Sequence, residues 1–342
     1  MDPFALRRLG RTSLELPALG MGGATLGNIF GVIEDSQSDA TLAAAWDAGI
    51  RFYDTSPWYG RGLSEQRFGR ALYRRPRKQV ILSTKVGRRF TAPADPVAFA
   101  RSPRAWEHGL QFEHHHDYSY AGIMRAYEDS LLRLGMNRID ILVVHDLDAG
   151  NLGSEELVTA HLHQLATGGI RALEDLKKAG LIKAYGAGVN GLGTIPRFLD
   201  LVDLDFFLVA LPYTLAEQPV LDREFPLCAA RGVGVIIGGV FASGILATGP
   251  VPGARYNYAI ASEEQLQRVG RMEAVCARHG VPLAAAALQF TLHHPVVASV
   301  IPGAFHPDHP RRNVQSMRVE IPVDLWAELK AEGLLREDAP TP

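Results

Sequence analysis

Four ionisable residues of unlike chemistry, Asp54, Tyr59, Lys85 and His145, are spread along the first half of the chain, and three of them stand where an apolar run stops. Asp54 follows Ile50-Arg51-Phe52-Tyr53, Lys85 follows Val80-Ile81-Leu82-Ser83-Thr84, and His145 follows Ile139-Asp140-Ile141-Leu142-Val143-Val144. Runs of this kind read as buried parallel strands. An ionisable side chain at the end of such a strand is costly unless it pairs or works. A carboxylate, a phenol, an ammonium and an imidazole brought together can tune one tyrosine for proton transfer. The ends of barrel strands are where a (β/α)8 fold keeps its chemistry.

The elements that must position these residues alternate from about residue 17 to residue 316. Strands are expected over 19–22, 52–54, 80–84, 139–144, 184–188, 206–210, 233–237 and 297–301. Between them, Ser36 with Asp39 predicts a capped helix that stops at Gly49. Helical patterns follow at 65–73 and 173–179, Ile123, Tyr127, Leu131 and Leu134 recur at helical spacing, and Ser262-Glu263-Glu264-Gln265 opens another capped helix. Eight strands with helices between them predict an α/β protein built as a closed (β/α)8 TIM barrel. Leu14-Glu15-Leu16 after Gly10-Arg11-Thr12-Ser13 predicts an N-terminal β-hairpin. The segment 86–117 after the third strand is too long for a plain connection and carries Pro93, Pro96, Pro103 and Trp106. Long segments in that place are usually functional, so it is expected to be a substrate loop. A last helical pattern covers 325–335, and residues 1–342 read as a single domain.

Composition narrows the partners. A net charge of −2 gives no electrostatic case for nucleic acid or an anionic membrane. Two cysteines, Cys228 and Cys276, do not make a disulfide framework and fit a reducing cytoplasm. No apolar run is long enough to span a bilayer, and the N-terminus lacks a charged-then-apolar signal pattern. A small-molecule substrate is expected; the oligomeric state is not legible.

Three strings, Phe52-Tyr53-Asp54-Thr55-Ser56-Pro57-Trp58-Tyr59-Gly60, Leu82-Ser83-Thr84-Lys85-Val86-Gly87 and Ile139 to His145, resemble the aldo-keto reductase superfamily. Arg8-Leu9-Gly10-Arg11-Thr12 and Ile301-Pro302-Gly303-Ala304 extend the resemblance over nearly the whole chain. Tyr118-Ser119-Tyr120 and Gly186-Ala187-Gly188-Val189-Asn190 look most like the branch that holds L-fucose dehydrogenase, D-threo-aldose 1-dehydrogenase and pyridoxal 4-dehydrogenase.

The resemblance implies a nicotinamide cofactor bound across the barrel mouth without a Rossmann turn, and Gly20-Met21-Gly22-Gly23 is only a weak look-alike of that turn. It makes Tyr59 the proton-transfer residue. A free tyrosine ionises near ~10, so Lys85 is expected to favour the phenolate, Asp54 to hold Lys85, and His145 to hydrogen-bond the substrate oxygen. Gly22 counts among the cofactor contacts. Asn190 would bind the carboxamide and Tyr213 would stack on the nicotinamide. Gly239, Ser243, Gly244 and Leu246 would meet the pyrophosphate, and Gly303, Ala304 and Asn313 the adenosine half. Many members carry Ser and Gln where this chain has Val189 and Ala210. Where NADP-preferring relatives place Lys and Arg, Gly303 and His309 stand here, so NAD is expected; Arg311 and Arg312 keep NADP open. Trp58, Trp106 and Phe112 are the candidate substrate walls. His114-His115-His116 lacks a partner at ligand spacing, so no metal is expected.

The activity expected is oxidation of the anomeric hydroxyl of an aldose to a lactone, with Tyr59 as general base. Alternatives are a pyridoxal 4-dehydrogenase, an NADPH-dependent aldehyde or ketone reductase and, outside enzymes, a nicotinamide-sensing regulatory subunit.

Overall fold

The computed structural model describes residues 1–101, 105–106 and 108–342; Pro103 of the long segment lies outside them. The chain opens with an antiparallel pair, Leu6–Arg8 (β1) and Glu15–Pro17 (β2), which is the expected hairpin. The strands Met21–Gly22 (β3), Phe52–Asp54 (β4) and Ile81–Val86 (β5) follow. A second antiparallel pair, Arg88–Thr91 (β6) and Glu113–His116 (β7), precedes Ile141–Val144 (β8), Ala184–Val189 (β9), Phe206–Ala210 (β10) and Gly234–Gly238 (β11). A short pair, Arg255–Tyr256 (β12) and Ala259–Ile260 (β13), comes before Val297–Val300 (β14).

β3, β4, β5, β8, β9, β10, β11 and β14 form one parallel sheet in chain order. It closes on itself: Gly20 N–H donates to Val300 O at 2.8 Å and Gly22 N–H to Pro302 O at 3.0 Å. The fold is a (β/α)8 barrel. Glycine is required at the seam, because a Cβ on Gly22 would lie 2.8 Å from Ile301 O.

Alternation along the strands builds two cores. Ile141 and Val143 point inward with Phe52, Phe206, Leu208 and Ile236, and Leu9, Leu14 and Leu16 of the hairpin region plug that interior. Leu142 and Val144 point outward beneath the helices, with Ile123, Tyr127 and Leu134 of the helix Tyr120–Leu134. Among the described residues no helix is long and apolar enough to cross a membrane.

Two local expectations are corrected. The first helix, Asp35–Asp47, starts one residue ahead of Ser36, with Glu34 at its N-cap and no side-chain cap. Asp39 is taken by Arg70 Nε at 2.8 Å and so is not a box partner. The box at Ser262 and Gln265 does form. Within 86–117 the described residues form the β6–β7 hairpin and a short helix, Pro96–Arg101. A Glu-His-His-His strand has no apolar alternation by which to be recognised.

Candidate active site

β5 runs one residue past Lys85, so its ammonium sits in a wholly buried stretch. It is 1% exposed, and its Nζ donates to Asp54 Oδ2 at 2.7 Å and to Thr55 O at 2.8 Å. The other Asp54 oxygen, Oδ1, is buried without a partner among the described residues. Burial pushes the Asp54 carboxyl up, against the pull of Lys85.

Tyr59 opens a tight turn after β4 in which Gly60 and Arg61 both take positive φ. This brings the Lys85 Nζ to 4.6 Å from the tyrosine ring centre and sets the ring edge-on to His145, 5.8 Å between centroids. Burial, then the charge of Asp54, drives the Tyr59 hydroxyl well above its ordinary value, and Asp146 adds to this against Arg88. The ammonium is already committed to Asp54.

His145 follows β8; its N–H donates to Val86 O at 3.0 Å, and its carbonyl accepts from Tyr118 Oη at 2.8 Å. Its Nδ1 lies 3.2 Å from both Ser56 Oγ and Arg88 Nη1. A guanidinium can only donate, so Nδ1 accepts and the ring proton sits on Nε2. Burial, helped by Arg88 and Lys85, holds the imidazole well below its ordinary value, so it is neutral at pH 7. The next residue, Asp146, takes φ of 48°, a strained conformation for a residue with a side chain. Three contacts hold it: Arg88 Nη1 at 3.0 Å, Asn190 Nδ2 at 3.0 Å and His145 Nε2 at 3.4 Å.

Tyr59, Lys85, His145 and Asn190 line one cavity of about 790 Å³, walled by Trp58, Trp106, Phe30 and Tyr258. A second cleft of about 360 Å³ shares Tyr59, Leu211 and Tyr258 with it. The cleft runs over Gly22, Gly239, Ser243, Gly244 and Gly303 to His309, Arg312 and Asn313. Glycine backbone along the cleft, the Arg312 cation at its far end and the Asn190 amide in the adjoining cavity suit an extended dinucleotide. Because Asn190 Nδ2 is used by Asp146, its Oδ1 is the atom left to accept from a carboxamide N–H.

Four expected contacts are displaced. Tyr213 is fully buried, its ring 4.8 Å from Phe225 and 5.3 Å from Phe290, so it packs behind the barrel. Leu211, with φ of 78°, lines the cavity in its place. Leu246 is a core residue whose N–H donates to Phe241 O. Ala304 is buried and supports the site only through its carbonyl, which accepts from Thr25 Oγ1 at 2.8 Å. Phe112 lies on the surface, off the cavity wall, where its carbonyl accepts from Arg61 at 2.7 Å. His114 packs on Trp58, 4.5 Å between rings, and among the described residues no cluster of His, Cys, Asp or Glu is placed to hold a metal. Arg88, Phe30 and Tyr258 went unnoticed in the sequence. Only Arg88, a charge just beyond the lysine of a buried strand, left any signal there.

Residues 18–332 match the family model described as Aldo/keto reductase family, and the chain belongs to that family. It is 42% identical over 337 residues to a pyridoxal 4-dehydrogenase of Microbacterium luteolum, covering 96% of this chain and 97% of that protein. It is 38% identical to a D-threo-aldose 1-dehydrogenase of a Pseudomonas species, with 96% of each covered. Among solved structures, the holo form of an aldo-keto reductase from Bacillus halodurans superposes with a TM-score of 0.74 at 27% identity, covering 97% of each chain. The chain is an oxidoreductase of this family.

Proposed function

We propose that the protein oxidises the anomeric hydroxyl of a cyclic aldose to a lactone, with NAD as the acceptor. The observation that carries this is that Tyr59, His145 and Asn190 face one cavity continuous with the glycine-lined cleft. The nicotinamide ring supplies, when bound, the carbon that accepts the hydride from the anomeric carbon. His145 donates its Nε2–H to the reacting oxygen and fixes it. Tyr59 takes the hydroxyl proton as the carbonyl forms, and donates it in the reverse direction. Lys85 and Asp54 hold Tyr59 in place through their buried pair. Trp58 and Trp106 would bound a sugar ring as apolar walls of the cavity.

Pyridoxal as substrate is a second reading, favoured by the 42% relative. Pyridoxal also presents a ring hemiacetal, and the same residues would act on it. We further propose the cytoplasm as the compartment, since both thiols are free and buried.

Initial rates followed by reduced-cofactor absorbance test this, crossing NAD and NADP with L-fucose, D-arabinose, L-galactose and pyridoxal. Strong NAD-linked oxidation of one hemiacetal is expected. Activity confined to NADPH and simple aldehydes would overturn the direction and the cofactor. Tight cofactor binding without turnover would favour a nicotinamide-sensing role. Tyr59→Phe is expected to lower kcat by at least about 10²-fold while cofactor binding persists; near-normal turnover would remove Tyr59 from the mechanism.

A further inference from the structure

Arg88 is a fixed charge only 3% exposed, on the first residue of β6, and proton transfer as set out above makes no use of it. Its guanidinium touches His145, Asp146, Asn151 and Trp58 at the reacting end of the cavity. Nη1 donates to His145 Nδ1 at 3.2 Å and to Asp146 Oδ2 at 3.0 Å, and Nη2 reaches Asn151 Oδ1 at 3.5 Å. The guanidinium carbon lies 4.6 Å over the Trp58 ring. Asp146 Oδ1, on the far side of the same carboxylate, accepts from Asn190 Nδ2 at 3.0 Å.

We propose that Arg88, through Asp146, is a positioning residue that sets the proton of His145 on Nε2 and turns the Asn190 amide so that its oxygen faces the cofactor. This rests on the assignment of His145 to the reacting oxygen. Each half follows from donor and acceptor chemistry. Arg88 has no lone pair to offer, so the ring nitrogen beside it must be bare, and Nε2 carries the hydrogen that a substrate oxygen needs. Asp146 can only accept, so the asparagine must turn its NH₂ toward it and leave Oδ1 for a carboxamide N–H. At 3.4 Å the Nε2–Asp146 contact is long for a hydrogen bond, so a substrate oxygen can take that proton without breaking a strong bond. One arginine thereby ties the residue that faces the substrate to the residue that faces the nicotinamide.

The groups that bear on His145 are Arg88 and Lys85 on the β5–β6 side, Ser56, whose hydroxyl lies 3.2 Å from Nδ1, Asp146 beside it, His116 from β7, Tyr118, whose hydroxyl holds its carbonyl, and Tyr59 across the cavity. Arg88 and Lys85 are the cations among them. Removing Arg88 lets Nδ1 take a proton, either by a change of tautomer or by full protonation.

The test uses the full chain labelled with ¹⁵N-histidine and the variants Arg88→Met and Arg88→Lys, with His145→Asn to assign the resonance. In the wild type, Nδ1 of His145 is expected to resonate as a bare nitrogen from pH 6 to 9. In Arg88→Met it is expected to gain proton character, the acid limb of kcat/KM to move to higher pH, and kcat/KM to fall roughly 10²-fold. NAD, titrated by protein fluorescence, is expected to bind several-fold more weakly. Arg88→Lys, which keeps a donor and a charge, is expected to restore the tautomer and part of the rate. The tautomer readout needs no substrate, so it separates failure of this proposal from failure of the sugar assignment. An unchanged Nδ1 signal and acid limb in a folded Arg88→Met protein would overturn it. If Arg88→Met does not fold, a bare Nδ1 in Arg88→Lys supports the proposal and a protonated one overturns it.

Discussion

Replacing Asp54 by Asn, Lys85 by Met, and then both, separates the structural worth of the buried pair from its chemical worth. The charges are 2.7 Å apart, with side chains 1% and 2% exposed. At an effective dielectric of 20 their attraction over that distance is about 6 kcal/mol. Taking both ions from water offsets much of this, and deleting one partner of such a pair costs about 3–5 kcal/mol, because the survivor is left charged and buried. Asp54→Asn leaves the Lys85 ammonium with neutral acceptors in place of an anion, the Thr55 carbonyl and the new amide oxygen, so it should fall at the top of that range. Lys85→Met leaves a carboxyl already pushed up by burial, which escapes by taking a proton, so it should fall at the bottom. The double variant removes both charges and should cost about 3 kcal/mol less than the sum of the singles. Urea unfolding of the four proteins gives the cycle. Single-variant costs that add to within about 0.5 kcal/mol would refute the pairing as the source of stability. Turnover should be lost in all three variants, since Tyr59 is positioned against the Lys85 ammonium.

Two further outcomes bear on the cofactor and the proton. Arg312, the cation lining the far end of the cleft, is the residue that could hold a 2′-phosphate, so Arg312→Ala should weaken NADP roughly tenfold and leave NAD within about twofold. Equal loss of both in fluorescence titrations would show that Arg312 does not read that phosphate. Because the Tyr59 hydroxyl is held well above its ordinary value, the phenol stays protonated through neutral pH. The base form needed for oxidation is therefore scarce and grows with pH, so kcat/KM for oxidation should climb from pH 7 toward 10 while that for reduction stays flat. A bell centred near neutrality for oxidation would contradict this.

The eight barrel strands were legible because both faces of a parallel strand are buried and leave unbroken apolar runs; the expected bounds of 206–210 match the observed strand. Asp54, Lys85 and His145 stood out because each interrupts such a run at one end, whereas Tyr59 was singled out by the resemblance. Strands β6 and β7 were not, since a polar hairpin that packs on a barrel rim carries no apolar period. Tyr213 was misplaced for a related reason. It stands three residues past β10, beyond a positive φ at Leu211 that apolar spacing does not report. The opposite wall, Phe30 and Tyr258, is brought together by loops far apart in sequence, and spacing cannot report such a meeting.

The geometry also says what kind of reacting group the site suits. The two residues proposed to react, Tyr59 and His145, are both neutral at pH 7, and each is flanked by a buried ion pair that cancels its own charge: Asp54–Lys85 beside the tyrosine and Arg88–Asp146 beside the histidine. Fixed charges placed this way orient their neighbours by hydrogen bonds without leaving a net charge to attract a carboxylate or a phosphate to the reacting atoms. A hemiacetal hydroxyl enters neutral and leaves as a neutral lactone carbonyl; under the proposed reaction its proton would go to the Tyr59 phenolate, which ends as the neutral phenol, and its hydride to the nicotinamide. Under that proposal, binding strength for such a substrate would come from the Trp58 and Trp106 walls and from hydroxyl contacts to polar side chains of the same cavity.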